Sequence, residues 1–542
     1  MARNGTVAES VVEALKEMGV KYVFGVPSGG WVDYMEALRK ADGIEFVLTT
    51  HEAGAGMMAD VCGRLTGAPG ACFGTFGPGA TNLATGVGEA LLDRSPVIAF
   101  TDEMPDAMRG RTTQMGIDHQ ALFKPLTKKT TRLRPDAVKS ILFDAGRVAL
   151  EGRPGPVHVG LPVGMSAEAA VKENVAFSPP SPSKHADHLL IDKAAKLFSA
   201  AKKPLLAVGL GAVQAGVQDE IRSLADKHDI PVVLTPMAKG MLAEDHRCYA
   251  GIVFHALSDM VGQTHQQADL VIAIGYDPVE FNYESWMPKA PLISFDVEPA
   301  DIDRNSYTVA VDAVGDIKTS IDTLLAVAPV TRDWDMNALA ERKAAMFKKL
   351  TTPSTSFGPK AALTVLRDVL PQDGIMTCDV GAHTHLIGQL WQTPAPGLQL
   401  MTNGWSTMGF GIPAAVAAKL VHPEKQVCAV VGDGGFLMTA GELATALRCD
   451  AKIVVVLLTD NDLALIRIKQ VKKDNPIYGT PIREKGTIGG DNIFNVPVRR
   501  AYDATAFRKE LEAAFAAEGS VIVEAIIDSR EYDGVVLKKD RP

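Results

Sequence analysis

Cysteine is scarce and unpatterned in this chain. Six residues, at 62, 72, 248, 378, 428 and 449, form no CxxC pair and no metal-ligand spacing. That argues against a disulfide framework or a thiolate metal centre and points to buried free thiols in a reducing compartment. Long apolar runs are missing too: no stretch reaches the roughly 18 uncharged apolar residues that a bilayer span needs. The opening MARNGTVAESVVEALKEMG has no uninterrupted apolar region and reads as an amphipathic helix, so a cytoplasmic protein without membrane association is expected. Basic charge is not in excess: 55 Lys and Arg stand against 64 Asp and Glu, for a net charge of −9, which argues against a nucleic-acid partner. His119, His383 and His385 lack HExxH-type spacing, so zinc is not expected. Gly209-Leu-Gly211, with Gly216 after it, misplaces the third glycine of a dinucleotide loop, which leaves an NAD-linked oxidoreductase unsupported.

What is present is alternation. With 542 residues, about 150 per domain gives a soft expectation of three or four domains. Short apolar runs bounded by glycine or proline, such as Tyr22–Val26, Phe46–Thr49, Gly70–Phe73 and Pro96–Phe100, alternate with helical patterns. That pattern predicts parallel sheets covered by helices. Around 176–189 periodicity gives way to proline, serine and charge, the mark of a linker. A second block carries the runs 204–212, 230–236, 268–278 and 290–299, and ends in a charged helix and TTPSTS. A third carries 374–381, 426–435, 451–462 and 520–529. The expected fold class is therefore α/β in three domains, 1–175, 190–335 and 358–542, joined by linkers 176–189 and 336–357. The first and third blocks are candidates for distant structural relatives.

Residues 432–462 read GDGGFLMTAGELATALRCDAKIVVVLLTDND, one strand–turn–helix–strand unit that brings both ends to the same sheet edge. Asp433 and Asp460 lie 27 positions apart, so two carboxylates can meet there. Gly432, Gly434 and Gly435 let the backbone approach an anion, yet Asp433 would repel a bare phosphate. A Mg²⁺ ion resolves the conflict, since it takes one or two carboxylates plus phosphate oxygens, with a turn carbonyl near Asp462 completing the set. A tight Asp-Gly turn and a strand-end acid remain open on these residues alone. In VLTTHEAGAGMMAD a strand ends at His51-Glu52 before a helix begins. A poorly solvated glutamate there can share a proton with a ring nitrogen, or can simply favour a helix dipole. FGPGATN, with Phe76 and Asn82, makes a tight strand-to-helix connection, and Trp405, Met408 and Phe410 stand among glycines before an apolar helix.

Together these stretches resemble the thiamine diphosphate (ThDP)-dependent 2-oxo acid decarboxylase and acetohydroxyacid synthase superfamily, over essentially the whole chain. FGVPSGG (24–30), THEAGAGMMAD (50–60), FGPGATNL (76–83) and STMGFGIPAA (406–415) are similar to its synthase branch, and IAIGYDPVEFNYESW (272–286) to flavin-independent acetolactate synthases. The resemblance implies a pyrimidine-binding, a central and a diphosphate-binding domain, in that order. It implies that catalytic Glu52 hydrogen-bonds the cofactor's aminopyrimidine and that Met408 wedges its two rings into a V. Pro27, Gly381, Ala382, His383, Ser406, Leu463, Ala464, Leu465 and the glycines 432, 434 and 435 are implied to contact it. Asp433, Asp460 and the carbonyl of Asp462 are implied to hold Mg²⁺, with Asp460 standing where many relatives have Asn. Glu52 and Asp433 lie 381 positions apart, and family members build each site from two subunits. A homodimer or dimer of dimers is expected.

The resemblance also implies the substrates: a small-molecule 2-oxo acid and a carbonyl acceptor. The pocket is expected from 28–31, including Gly29 and Gly30, from Phe76, from 114–119, including Gln114 and His119, from 276–286, from Trp405 and from 463–490. Gly30 stands where similar synthases carry a carboxylate-binding lysine. FAD is doubtful, because YDPVE (276–280) replaces the flavin segment RFDDR. The adjacent histidine pair of pyruvate decarboxylases is missing, which favours carboligation, although His119 or a water remains a conceivable proton donor. The competing expectation is simple decarboxylation with release of an aldehyde.

Overall fold

The structure, a computed structural model, describes residues 5–181, 183–280, 288–483 and 488–536. Three six- or seven-stranded sheets, each flanked by helices, form three α/β domains. The N-terminal sheet contains β1 (Tyr22–Gly25), β2 (Glu45–Leu48), β3 (Gly70–Gly74), β4 (Val97–Glu103), β5 (Lys129–Arg132) and β6 (Pro156–Pro162), all parallel, in the order β2-β1-β3-β4-β6-β5. Its inner strands β3 and β4 are buried throughout because helices cover both faces.

The central sheet has β7 (Pro204–Val208), β8 (Val232–Leu234), β9 (Tyr249–Ile252), β10 (Leu270–Ile274), β11 (Leu292–Asp296) and β12 (Val309–Val314). Its order, β12-β11-β10-β7-β8-β9, is the doubly wound order of dinucleotide folds. The Gly209-Leu-Gly211 loop lacks the dinucleotide spacing, yet the sheet that carries it has the arrangement such loops serve.

The C-terminal sheet comprises β13 (Ile375–Cys378), β14 (Gln399–Met401), β15 (Val427–Gly432), β16 (Val454–Thr459), β17 (Asn492–Ile493), β18 (Val496–Ala501) and β19 (Val521–Ile526), in the order β14-β13-β15-β16-β19-β18-β17. Only β17 pairs antiparallel. Without that rim strand the order repeats that of the first domain, so the two terminal domains share one topology.

These two domains also share a core. Helices Glu52–Thr66 and Pro78–Leu92 of the first pack with helix Gly411–Val421 of the third around Met58, Val61, Leu83, Phe410 and Val416. Gly56 and Gly86 let the first two helices touch backbone to backbone, since a Cβ on Gly56 would lie 2.8 Å from the Gly86 Cα. No helix among the described residues is long and apolar enough to cross a membrane.

Candidate active site

In open parallel sheets, ligands gather outside the strand C-termini where the strand order reverses. In the third domain that point lies between β13 and β15, and the chain leaves it through Gly381–His383 on one side and Gly432–Gly435 on the other. Asp433 opens helix Asp433–Thr439 and is buried. Its carboxylate accepts the Gly434 N–H at 2.9 Å and the Asn461 N–H at 2.7 Å, which ties the GDGG turn to the end of β16. Asp460 stands there, its Oδ1 accepting the Asp462 N–H at 3.2 Å. Burial, and then the charge of Asp433, push the Asp460 carboxyl up to about 7; burial also raises Asp433. Two buried carboxylates, one raising the other's proton affinity, at a glycine turn form the donor set a divalent cation satisfies. The Asp462 side chain pairs with Arg467 through Oδ2, at 3.1 Å, while its Oδ1 is buried without a hydrogen-bond partner.

The surroundings suit a diphosphate. Gly432 faces His383, whose ring is buried and held neutral, pushed down to about 4 by burial. Its Nε2 is buried without a hydrogen-bond partner. Gly434 faces Leu463, Met408 and Ile482: a Cβ there would lie 2.8 Å from Leu463 Cδ2 and 3.4 Å from the Met408 methyl. Met408 is thereby placed beside the GDGG turn. Ser406 sits just before it in a left-handed conformation, φ 55°, with its hydroxyl on the Asn403 carbonyl at 2.8 Å. Ala464 opens the helix Ala464–Lys472 that carries Leu465, and the Leu463 N–H is already given to the Thr480 carbonyl at 3.0 Å.

The first domain has its own reversal point, between β1 and β3, where Gly29, Gly30 and Phe76 lie. Glu52 is at the end of β2, but the strand does not run to it: helix Glu52–Thr66 begins at Glu52 itself. His51 starts the helix early, its Nδ1 accepting the Ala53 N–H at 3.1 Å. The Glu52 carboxyl is 8% exposed, lies over Gly79, and accepts from Asn82 Nδ2 at 3.0 Å. Among the described residues, no hydrogen bond or ion pair joins it to Asp433, Asp460 or Met408.

The other pocket candidates divide. A Cβ on Gly30 would lie 2.7 Å from Asp102 Oδ1, so the position is closed to any side chain while Asp102 stays. Asp102 is buried, accepts from Ser28 Oγ at 2.5 Å and Thr75 Oγ1 at 3.1 Å, and is raised by burial. His119 is buried with both ring nitrogens engaged, Nε2 by the Gly77 N–H at 3.3 Å and Nδ1 by Thr101 Oγ1 at 2.9 Å, and burial pushes it down to about 4. It is a neutral structural ring, not a ready proton donor. Gln114 and Pro27 are exposed. The Trp405 indole packs on Gly88 of helix Pro78–Leu92, six residues beyond Asn82. Residues 281–286 and 484–487, named as pocket segments, lie outside the described residues.

Asp102, Asp379 and Asp93 carry no local sign in the sequence of the roles they take. Asp379 accepts the Gly409 N–H at 2.8 Å and so fixes the turn after Met408. Asp93 accepts the Asn403 and Gly404 N–H groups at 3.1 and 2.8 Å, while Arg64 donates to the Met401 carbonyl. The first domain thus braces the loop that carries Met408. Asp60, Glu89 and Asp93 converge in one buried acidic cluster, but Arg64 pairs with both aspartates and already supplies the cation.

With two carboxylates, a glycine cradle and a neutral buried imidazole assembled at one edge, the relatives decide the family. Residues 5–122 match the N-terminal TPP binding domain of thiamine pyrophosphate enzymes, 191–324 their central domain, and 379–525 their C-terminal TPP binding domain. The chain belongs to the thiamine pyrophosphate enzymes. It is 32% identical to a probable acetolactate synthase large subunit of Methanocaldococcus jannaschii, over 97% of this chain and 92% of that protein. It is 32% identical to the acetolactate synthase of Bacillus subtilis, over 98% and 95%. With that of Mycobacterium bovis the identity is 33%, over 85% and 77%. In this thiamine pyrophosphate enzyme Glu52 falls in the N-terminal TPP binding match, and Asp433 and Asp460 in the C-terminal one.

Proposed function

We propose that this enzyme uses ThDP and Mg²⁺ to decarboxylate a 2-oxo acid and join the acyl unit to a second carbonyl, as an acetolactate synthase-like carboligase. The observation that carries the reading is the meeting of Asp433 and Asp460 at a glycine turn, beside a buried His383 nitrogen without a partner. When bound, the cofactor supplies a thiazolium ring that accepts electrons as the 2-oxo acid loses CO₂.

The chain's own part follows from its donors. Asp433, Asp460 and the Asp462 carbonyl would hold the metal, with the backbone at Gly381–Ala382, Gly434–Gly435 and Leu463–Leu465 around the diphosphate. Met408 would support the space between the cofactor's rings. Glu52, oriented by Asn82, would give and take a hydrogen-bonded proton at a ring nitrogen. His119 is held neutral and both its ring nitrogens are engaged by Gly77 and Thr101, which supports transfer to a second carbonyl over protonation and aldehyde release.

Glu52 and Asp433 would come from different subunits of a homodimer or dimer of dimers. Exposed Leu437, Met438, Leu447, Ile466 and Val471 near the diphosphate half-site support an interface there. FAD stays doubtful on this reading, and what fills the central domain supports that. The Glu280 carboxylate occupies the C-terminal edge of β7 and β8, taking the Leu210 and Met237 N–H groups at 3.0 Å each and the Thr235 hydroxyl at 2.9 Å. The cavity left beside it, between Arg94, Arg153, Asp277 and Asp296, is about 250 Å³, small for a dinucleotide.

Product analysis with pyruvate as sole substrate tests the reading. Acetolactate, giving acetoin after acid treatment, is expected; aldehyde and CO₂ alone would replace it with the decarboxylase reading. Glu52→Gln should abolish turnover while cofactor binding persists.

A further inference from the structure

We propose that Glu442 is a positioning residue for Glu52, docking the diphosphate domain onto the first turn of the helix that Glu52 opens. The inference rests on the role given to Glu52 above. Glu442 opens helix Glu442–Arg448, nine residues after Asp433, and is 2% exposed. Its carboxylate reaches across the domain boundary. It accepts the Thr50 N–H at 3.1 and 3.2 Å and the His51 N–H at 3.0 Å, the two backbone donors immediately before Glu52. Thr445 Oγ1 donates to it at 2.6 Å.

The dock is built from both sides. Thr50 Oγ1 donates back to the Gly441 carbonyl at 2.9 Å, and Arg448 reaches the Leu48 carbonyl at 2.9 Å, so the whole of this short helix follows the turn from β2 to Glu52. Gly54 leaves the room: a Cβ there would lie 2.5 Å from Glu442 Oε1. That contact gives the fourth residue of HEAG a reason to be glycine. A carboxylate at this helix end also suits the partial positive charge of the unpaired N–H groups. Thr50 and His51 set the backbone direction at Glu52, and a glutamate that must meet a ring nitrogen within hydrogen-bond distance tolerates little displacement.

The test compares Glu442→Ala, Glu442→Gln and Glu52→Gln in the full-length enzyme. Amide hydrogen exchange at Thr50 and His51, read without cofactor, should speed up in Glu442→Ala and stay near wild type in Glu442→Gln, whose amide oxygen still accepts. With saturating ThDP and Mg²⁺, kcat should fall about 100-fold in Glu442→Ala while cofactor Kd changes little, and Glu442→Gln should recover to within about threefold of wild type. If Glu442→Ala fails to fold, Gly54→Ala, which pushes the carboxylate off, should reproduce the exchange and kcat changes. Unaltered exchange, wild-type turnover in Glu442→Ala, or equal loss in the Gln and Ala variants would each overturn the proposal. Full turnover in Glu52→Gln would instead sink the reading of Glu52 itself.

Discussion

Replacing each glycine of the GDGG turn by alanine separates folding from cofactor binding, and the three positions should respond differently. At Gly435 a Cβ would press on the Asp379 carboxylate, which is buried and held by the Gly409 N–H at 2.8 Å and the Val380 N–H at 2.6 Å. Overpacking costs about 1–3 kcal/mol, and a lost hydrogen bond to a charged acceptor about 1.5–3 kcal/mol. Gly435→Ala should therefore lose about 3–5 kcal/mol and release the turn after Met408. At Gly434 the Cβ meets Leu463 Cδ2 at 2.8 Å, the end of a movable side chain, so the cost should be about 1 kcal/mol. At Gly432 the nearest atom is 3.4 Å away, on the His383 ring, and the backbone is extended. Gly432→Ala should unfold in urea within about 1 kcal/mol of wild type. Its penalty should appear on loading, because the new methyl stands where the diphosphate approaches, and ThDP affinity measured by calorimetry should drop tenfold or more, about 1.4 kcal/mol. Urea unfolding of the cofactor-free protein at fixed concentration gives the stability series. Wild-type affinity in Gly432→Ala would refute the cradle, and wild-type stability in Gly435→Ala would refute the packing beneath it.

Two further outcomes follow from the site and the central domain. Stripping with EDTA should abolish ThDP binding, and added Mg²⁺ should restore it in wild type but not in Asp433→Ala, as read by calorimetry. Burial pushes Glu280 up to about 7, so its folded state holds a proton that the unfolded chain releases near 4.5. Its contribution is full below pH 4.5 and is lost as pH rises through 7, about 3 kcal/mol in all. The stability of wild type relative to Glu280→Gln should fall across that window, followed by urea unfolding at pH 5 and pH 8.

The parallel architecture was readable because fully buried strands such as Val454–Thr459 are unbroken apolar runs between turn residues. The meeting of Asp433 and Asp460 was readable because one strand–helix–strand unit returns to its own edge. What escaped prediction depends on contacts between distant segments. Glu52 opens its helix, where the sequence suggested a strand end, because His51 caps it and Glu442, 390 residues on, receives the preceding N–H groups. Trp405 reads as a pocket aromatic, but the glycine that receives it, Gly88, belongs to another domain. His119 looks like an available acid until Gly77 and Thr101 take both nitrogens. The doubly wound central sheet was hidden by irregular glycine spacing, and the carboxylate that fills its edge comes from 70 residues beyond Leu210. Rim strands of two or three residues, such as Asn492–Ile493 and Gln399–Met401, are too short to carry a pattern.

The central claim, that one catalytic centre takes Glu52 from one chain and Asp433 with Asp460 from its partner, is tested most directly by mixing two dead variants. Glu52→Gln and Asp433→Ala should each be inactive alone. After subunit exchange, half the dimers are mixed and each holds one intact centre of two, so about a quarter of wild-type turnover should return. No recovery in a mixture shown to have exchanged subunits would place both groups in a single chain's site and contradict the account.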